Sequence, residues 1–234
     1  MTLGTFFEAG SGSYNTYSSF SNAASVDGDG KARYLGGGLL ARMDFAPAGP
    51  GHFYVEGTAR TGGLYNHYNT SDLHNAMNQS DVGYDRYSAY YGLHGGGGYV
   101  WNLTEALALD MYGKYFWTRQ EGNSVTLSTG DPVDFDDVNS NRLRMGSRLT
   151  YTLNDYVNPY VGAAYEHEFD GKASASTYGY SIKSPTLRGD TGIGELGLSL
   201  RPSQAVPLTL DLSVQGYVGR REGVSGNAQI KFDF

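Results

Sequence analysis

The stretch 226-GNAQIKFDF-234 ends the chain and alternates apolar and polar residues at every position. Residues two apart lie on the same face of a β-strand, because successive side chains point to opposite sides. One face of this segment therefore carries Ala228, Ile230, Phe232 and Phe234, and the other carries its polar residues. The pattern predicts a strand with one apolar face and one polar, charged face.

The same period of two recurs towards the N-terminus and predicts about ten strands in all, with no helical period of 3.6. Leu208 to Val218 and Leu196 to Leu200 repeat it directly before the last strand. The composition agrees, because 34 glycines and 20 tyrosines in 234 residues suit strands better than helices. No composition shift or linker divides the chain, so we expect one domain over residues 1–234.

The connections between these strands alternate in length. Short turns are predicted at 46–51, 102–104, 154–156 and 202–207, with a further short turn at 220–224 in the last hairpin. Long loops are predicted at 11–31, 62–85, 121–141 and 171–185. Long loops on one rim and short turns on the other are typical of an outer-membrane barrel, whereas compact soluble domains seldom hold several long loops.

We therefore predict an all-β fold, a transmembrane antiparallel up-and-down β-barrel. Strands of about 9–11 residues cross a bilayer at the usual tilt, and aromatic residues near strand ends, such as Trp101, Trp117 and Phe169, indicate two girdles. We expect a monomer that is surrounded by outer-membrane lipid or by detergent and is closed by pairing of the first strand with residues 225–234. An even strand number places both termini on the short-turn rim, which is periplasmic.

Charged residues recur on the faces opposite the apolar ones. Arg142, Arg144 and Arg148 share one strand, and Glu166 and Glu168 share a face of the next. Cross-strand neighbours lie about 5 Å apart, so an ion-pair network is predicted inside the barrel. The network either fills the interior or guides a polypeptide or ion in transit. The predicted interior charges are Glu8, Arg42, Glu56, Arg60, Asp110, Lys114, Arg142, Arg144, Arg148, Glu166, Glu168, Glu195, Asp211 and Lys231.

The sequence lacks the residues that several classes of function require. No apolar run reaches the roughly 18 residues of a membrane helix, and a net charge of −7 lacks the basic footprint of a nucleic-acid binder. The run 95–98 has no Lys and Ser/Thr of a phosphate loop. The aspartates of 131–137 lack EF-hand spacing, the histidines lack paired metal spacing, and no GxSxG elbow is present. We predict no catalytic residue, cofactor or metal, with an enzymatic barrel as the least favoured alternative.

The chain resembles the translocator (β) domain of bacterial autotransporters along essentially its whole length. The most specific block runs from 159-PYVGAAYEHEFDGKA through 215-QGYVGRREGVSG, and GTFFEAGSGSYNTYSSF, YYGLHGGGGYVWN and the terminal KFDF are also similar. The resemblance implies an outer-membrane location and secretion of an N-terminal passenger polypeptide. It also implies recognition of a C-terminal signal, Ile230, Phe232 and Phe234, by the barrel-assembly machinery.

The front of the chain departs from the family pattern. Family barrels have about twelve strands, preceded by a lumen helix and a passenger, and Met1 stands directly before what would be the third family strand. We therefore expect a truncated or engineered smaller barrel that acts as a scaffold or narrow pore. The alternative is an adhesive or ligand-binding barrel that uses its long extracellular loops.

Overall fold

The computed structural model describes residues 1–19, 21, 24–74, 81–182, 185–203 and 208–232, with side chains described as far as residue 230. These residues form strands and turns, and no helix capable of crossing a membrane is found among them. The predicted terminal signal falls partly outside this set: Phe234 is not described, and for Phe232 only the backbone is. The side chain of Lys231, a predicted interior charge, is likewise outside the described residues.

Ten strands form one antiparallel sheet in chain order, so the predicted all-β, up-and-down architecture is confirmed. Each strand pairs with its neighbours along the chain. The strands are β1 (Thr2–Ser18), β2 (Val26–Asp44), β3 (Gly51–His74), β4 (Asp81–Asn102), β5 (Leu107–Gln120), β8 (Val138–Tyr151), β9 (Val157–Glu168), β12 (Gly189–Leu200), β13 (Leu208–Gly219) and β14 (Gly223–Phe232).

The predicted closure of the barrel is wrong. Within the described residues β1 pairs only with β2, and β14 pairs only with β13, so the curled sheet stays open between its two edges. Alternation of residue type specifies which face of each strand points inward. It does not specify how strongly the sheet curls, and pairing of the first and last strands depends on that curl.

Two of the predicted long loops are extended hairpins instead. β1 and β2 pair continuously from Thr2 with Arg42 to Ser18 with Val26, and β3 and β4 pair as far out as His74 with Asp81. The extension is accompanied by close packing of a tyrosine ring on a glycine of the facing strand. Tyr14 lies over Gly30, where a Cβ atom would come within 2.1 Å of the ring. The tyrosine thus covers the bare backbone of the facing strand, and segments that are Gly-rich and polar remain strands.

The other two long connections form a second, four-stranded sheet of β6 (Asn123–Thr126), β7 (Pro132–Phe135), β10 (Ala175–Thr177) and β11 (Tyr180–Ile182). The strand order in this sheet is β11-β10-β7-β6. Arg86 of β4 connects this sheet to the large one. Its Nε donates to Asn123 Oδ1 at 2.6 Å, and its guanidinium lies 4.4 Å from the Phe135 ring centroid. The connections therefore pack against the extended part of β4.

The outward face of the large sheet carries an apolar belt. On β2 every second residue from Met43 to Leu35 belongs to it, and Leu39 is 62% exposed. The nine residues from 35 to 43 match the length of a bilayer-crossing strand. Phe45, Trp101 and Tyr151 border the belt at the short-turn rim and are also exposed.

Candidate functional site

The inner face is organised around Glu166, which is only 1% exposed. Arg144 faces it across β8 and β9 and donates to Oε2 from Nε at 2.9 Å and from Nη2 at 2.8 Å. Arg221, in the turn between β13 and β14, donates to Oε1 at 2.6 Å. Arg142 Nη1 lies 3.7 Å from the same Oε1. One buried carboxylate thus holds β8, β9 and the turn between β13 and β14 together.

Glu168 extends this cluster towards the long-hairpin end of the sheet. Its Oε1 accepts a hydrogen bond from the backbone N–H of Asn141 at 2.8 Å, and its Oε2 accepts one from the Ser140 hydroxyl. Arg142 Nε approaches that Oε2 only to 3.8 Å. Among the described residues, Nε of Arg142 and Nε of Arg221 are buried without a hydrogen-bond partner. The cluster therefore retains donor groups that the protein does not use.

A second pair joins β8 to β12. Arg148 forms a two-pronged contact with Glu195, at 2.8 Å to Oε2 and 3.1 Å to Oε1, and Gln215 Nε2 donates to Glu195 Oε1 at 2.8 Å. The Arg148 guanidinium lies 4.4 Å from the ring centroid of Tyr160, whose hydroxyl donates to Asp211 at 2.7 Å. Asp211 is therefore held by a tyrosine rather than by a cation.

The opposite wall centres on Glu56 of β3. Lys114 Nζ lies 2.5 Å from its carboxylate, and Arg42 and His94 each lie 3.6 Å from it. Tyr54, two residues before Glu56 and therefore on the same face of β3, donates to Asp110 at 3.0 Å. Arg42 also contacts Asp44 at 2.9 Å, close to the short-turn rim.

Glu8 belongs to a third group near the free edge of β1. Arg60 Nη1 lies 3.0 Å from Glu8 Oε2, and the Tyr90 hydroxyl donates to Oε1 at 2.6 Å. Tyr90 is on β4, so this contact passes over two intervening strands. Such a contact is possible only on the concave side of a curled sheet.

The walls leave a cavity of about 350 Å³ between them. Its lining includes Arg42 of β2 and Gln215 of β13, together with Glu56, Arg144 and Glu195. Side chains from strands near both edges of the sheet therefore face one small polar space. Within the described part of the chain, no group of three His, Asp or Glu residues is placed to hold a metal ion.

The residues predicted from sequence thus divide into four ion-paired sets and two separate aspartates, and one of the sets is Arg42, Glu56 and Lys114. Arg142, Arg144, Glu166 and Glu168 lie together, and Arg148 and Glu195 form a neighbouring pair. Glu8 and Arg60 lie apart from both near β1, and Asp110 and Asp211 accept hydrogen bonds from tyrosines. Sequence reasoning missed Arg221, Tyr54, Tyr90 and Tyr160.

Only some of these missed residues could have been predicted from a pattern in the sequence. Arg221 could not, because it lies in a turn to which strand alternation does not apply. The tyrosines lie at inward-facing positions within the alternating pattern, and a buried tyrosine hydroxyl requires a partner. Pairing each inward tyrosine with an inward carboxylate two strands away in the sheet would have found Tyr54 and Tyr160 but not Tyr90, whose partner is three strands away.

A curled antiparallel sheet with an apolar outer belt and a charged inner face defines the class of outer-membrane β-barrel proteins. A family model described as "Autotransporter beta-domain" matches residues 1–213. The chain belongs to this family. Autotransporter β-domains are secretion barrels of the outer membrane rather than enzymes, and the family implies a passenger domain and type V secretion.

Solved structures show the same fold. The β-domain of the Bordetella autotransporter BrkA matches with a TM-score of 0.59 at 17% identity and covers 99% of both chains. The transport unit of AIDA-I from Escherichia coli matches with a TM-score of 0.52 at 14% identity, covering 99% of this chain and 83% of that one. A comparison with curated proteins finds no match.

Proposed function

We propose that this chain is a membrane-embedded translocator scaffold whose narrow, charge-lined interior handles a passenger polypeptide in extended form. Family membership supports the passenger, and the inner face supports the narrow interior. The observation that carries the proposal is the Glu166 cluster, in which Arg144 from β8 and Arg221 from the turn between β13 and β14 meet one carboxylate. With these contacts formed, charged side chains crowd the inner face around Glu56 and Glu195, where a polypeptide would have to displace some of them.

Passage of a polypeptide therefore requires some of these ion pairs to open. The unused Nε donors of Arg142 and Arg221 suit backbone carbonyls, which an extended chain offers along its length. Basic residues of β8 and acidic residues of β9 and β12 lie side by side, so the wall offers both signs of charge to a polypeptide of mixed sequence. We do not assign catalysis to any of these groups.

The remaining features of the proposal concern placement. We propose that residues 1–234 form one unit, that both termini are periplasmic, and that the chain is a monomer inserted by the barrel-assembly machinery. The exposed Ile230, at 66%, faces outward from β14 and supports a terminal signal that is readable from outside the sheet. Refolding in detergent followed by heat-modifiable gel migration tests the membrane-barrel character.

Conductance across a planar bilayer tests the narrow interior. We expect the refolded wild-type protein to give small, rare currents, and we expect Glu166→Gln to raise their size or frequency by freeing Arg144 and Arg221. The exposed Glu222→Gln, two residues into the same turn, serves as the matched control. Large stepwise currents from the wild-type protein would contradict a narrow interior.

A second candidate function is adhesion through the four-stranded sheet. Its outer strand β11 leaves Tyr180 77% exposed, and Tyr178 beside it is 66% exposed. Exposed tyrosines are frequent in recognition surfaces. Loss of binding of the intact cells to a surface or host cell on Tyr178→Ser and Tyr180→Ser substitution would favour this function, and unchanged binding would contradict it.

A further inference from the structure

A pair of basic residues lies on the outward face of β2, directly beyond its part of the apolar belt. Leu39 and Leu35 are 62% and 68% exposed, and the next two outward positions are Arg33 and Lys31. Along β2 the outward face thus changes from apolar at Leu35 to basic at Arg33, the next residue on that face. If the belt lies in the hydrocarbon layer, both cations stand at the level of the lipid headgroups.

Neighbouring strands place hydroxyl groups beside the two cations. In register, Arg33 pairs with Ser11 of β1, and Lys31 pairs with Ser13. All four side chains are exposed. Since outward positions on β1 and β2 share one face, the two hydroxyls and the two cations form a single patch, here called the basic patch.

The carboxylates near this patch do not neutralise it. Asp29 is the next residue on the same face of β2 after Lys31, and it lies further from the belt. Asp85 of β4 accepts hydrogen bonds from Tyr65 and contacts His67, and these two residues lie between it and β2. Throughout the part of the chain that the structure describes, neither Lys31 nor Arg33 forms a hydrogen bond or ion pair through its side chain.

Phosphate is the ligand chemistry that fits these groups. Arginine binds phosphate oxygens through two parallel N–H donors, lysine supplies a point charge, and serine hydroxyls donate to the remaining oxygens. The patch is continuous with an apolar surface formed by Leu35, Leu39 and Phe7, and Phe7 is 90% exposed. A free phosphate ion would not use that surface, whereas the acyl chains of a lipid would.

We propose that the basic patch, Lys31 and Arg33 with Ser11 and Ser13, binds the phosphate of an anionic lipid whose acyl chains pack on the adjoining belt. The inference rests on the proposed placement of the sheet in the membrane. It adds a lipid site at the long-hairpin end of the belt, separate from the inner face. Lys31 and Arg33 have no part in the network around Glu166.

Native mass spectrometry of the refolded protein in neutral detergent tests the site. The probes are phosphatidylglycerol and phosphatidylcholine with identical acyl chains. A cation near a lipid surface contributes about 1 kcal/mol, so Lys31→Gln and Arg33→Gln should each lower phosphatidylglycerol retention about fivefold. Lys172→Gln, which removes an exposed lysine from the 171–185 connection, should leave retention unchanged, and Lys31→Arg should preserve it.

The outcomes separate this inference from the proposed function. Heat-modifiable migration of each variant reports whether the barrel folds, and its absence in the wild-type protein would contradict the membrane placement itself. With folding established, equal retention of the two lipids by the wild-type protein would overturn the lipid site. Equal loss of retention in Lys172→Gln and Lys31→Gln would overturn it as well, since the effect would then reflect net charge alone.

Discussion

Arg144 and Glu166 face each other across β8 and β9, with Nη2 of the arginine 2.8 Å from Oε2 of a glutamate that is almost fully buried. The strand register aligns the two residues directly. Arg221 reaches the other carboxylate oxygen from a turn that lies far away in the chain. This arrangement is the best-defined contact set on the inner face and gives the first prediction.

Replacing Glu166 should destabilise the fold markedly. Glu166→Gln leaves the half-buried Arg144 and Arg221 without their charged partner, and we expect a cost of about 3 kcal/mol, the lower end for breaking a buried pair. Unfolding by guanidinium in detergent, followed by heat-modifiable migration, measures the loss. Glu222→Gln is the control, because Glu222 is exposed. Equal unfolding midpoints for the two variants would show that the cluster contributes no stability.

Packing of glycine against tyrosine gives a second prediction. A Cβ on Gly197 would lie 2.1 Å from the Tyr160 ring, so Gly197→Ala must displace the ring and its hydrogen bond to Asp211. We expect a loss of about 1–3 kcal/mol, as for other overpacked sites. Gly216 of β13 has no atom within 4 Å of the equivalent Cβ position, so Gly216→Ala is the matched control. A similar change in both variants would contradict the packing argument.

Arg86 should determine whether the four-stranded sheet stays attached to the large one. Its Nη2 donates to the backbone oxygen of Glu121 at 3.0 Å, in addition to the contacts with Asn123 and Phe135. Arg86→Ala should therefore speed proteolytic cleavage within 121–137 several-fold, while the large sheet keeps its heat-modifiable migration. Cleavage at the rate seen in an Arg188→Ala control, which changes an exposed arginine, would argue against this role.

The connections should also loosen at acid pH. The Thr129 and Tyr178 hydroxyls lower the pKa of Asp131 below its usual value of 3.8, and the Gly122 N–H, followed by Arg119, lowers the pKa of Asp137. A carboxyl group whose pKa is lowered by folding stabilises the folded state above its unfolded pKa, and this contribution is lost as the pH falls through the folded value.

Proteolysis with an acid-active protease measures this effect. Cleavage of 121–137 should accelerate below about pH 4, and Asp137→Asn should show the faster rate at neutral pH as well. A cleavage rate of the wild-type segment that does not change between neutral pH and pH 3 would contradict the assignment.

Alternation in single strands allowed much of this structure to be predicted. It identified the ten-stranded antiparallel sheet and its outward apolar face, since side chains in a strand alternate strictly whatever surrounds them. It failed for the loops, because Gly30 under Tyr14 continues a strand through residues that are typical of turns. The resemblance in sequence was specific enough to indicate the family, which the family model confirms.

The sequence by itself determined the number of strands in the large sheet, its outward apolar face and the family, because each depends on a repeat or motif local in the chain. Only the tertiary structure decided which charges meet. Arg221 joins Glu166 from a turn, Tyr90 reaches Glu8 over two intervening strands, and the two edges of the sheet stay unpaired within the described residues. These relationships depend on the curl of the whole sheet. The curl accumulates from small twists between all ten strands and therefore cannot be predicted from the sequence of any single strand.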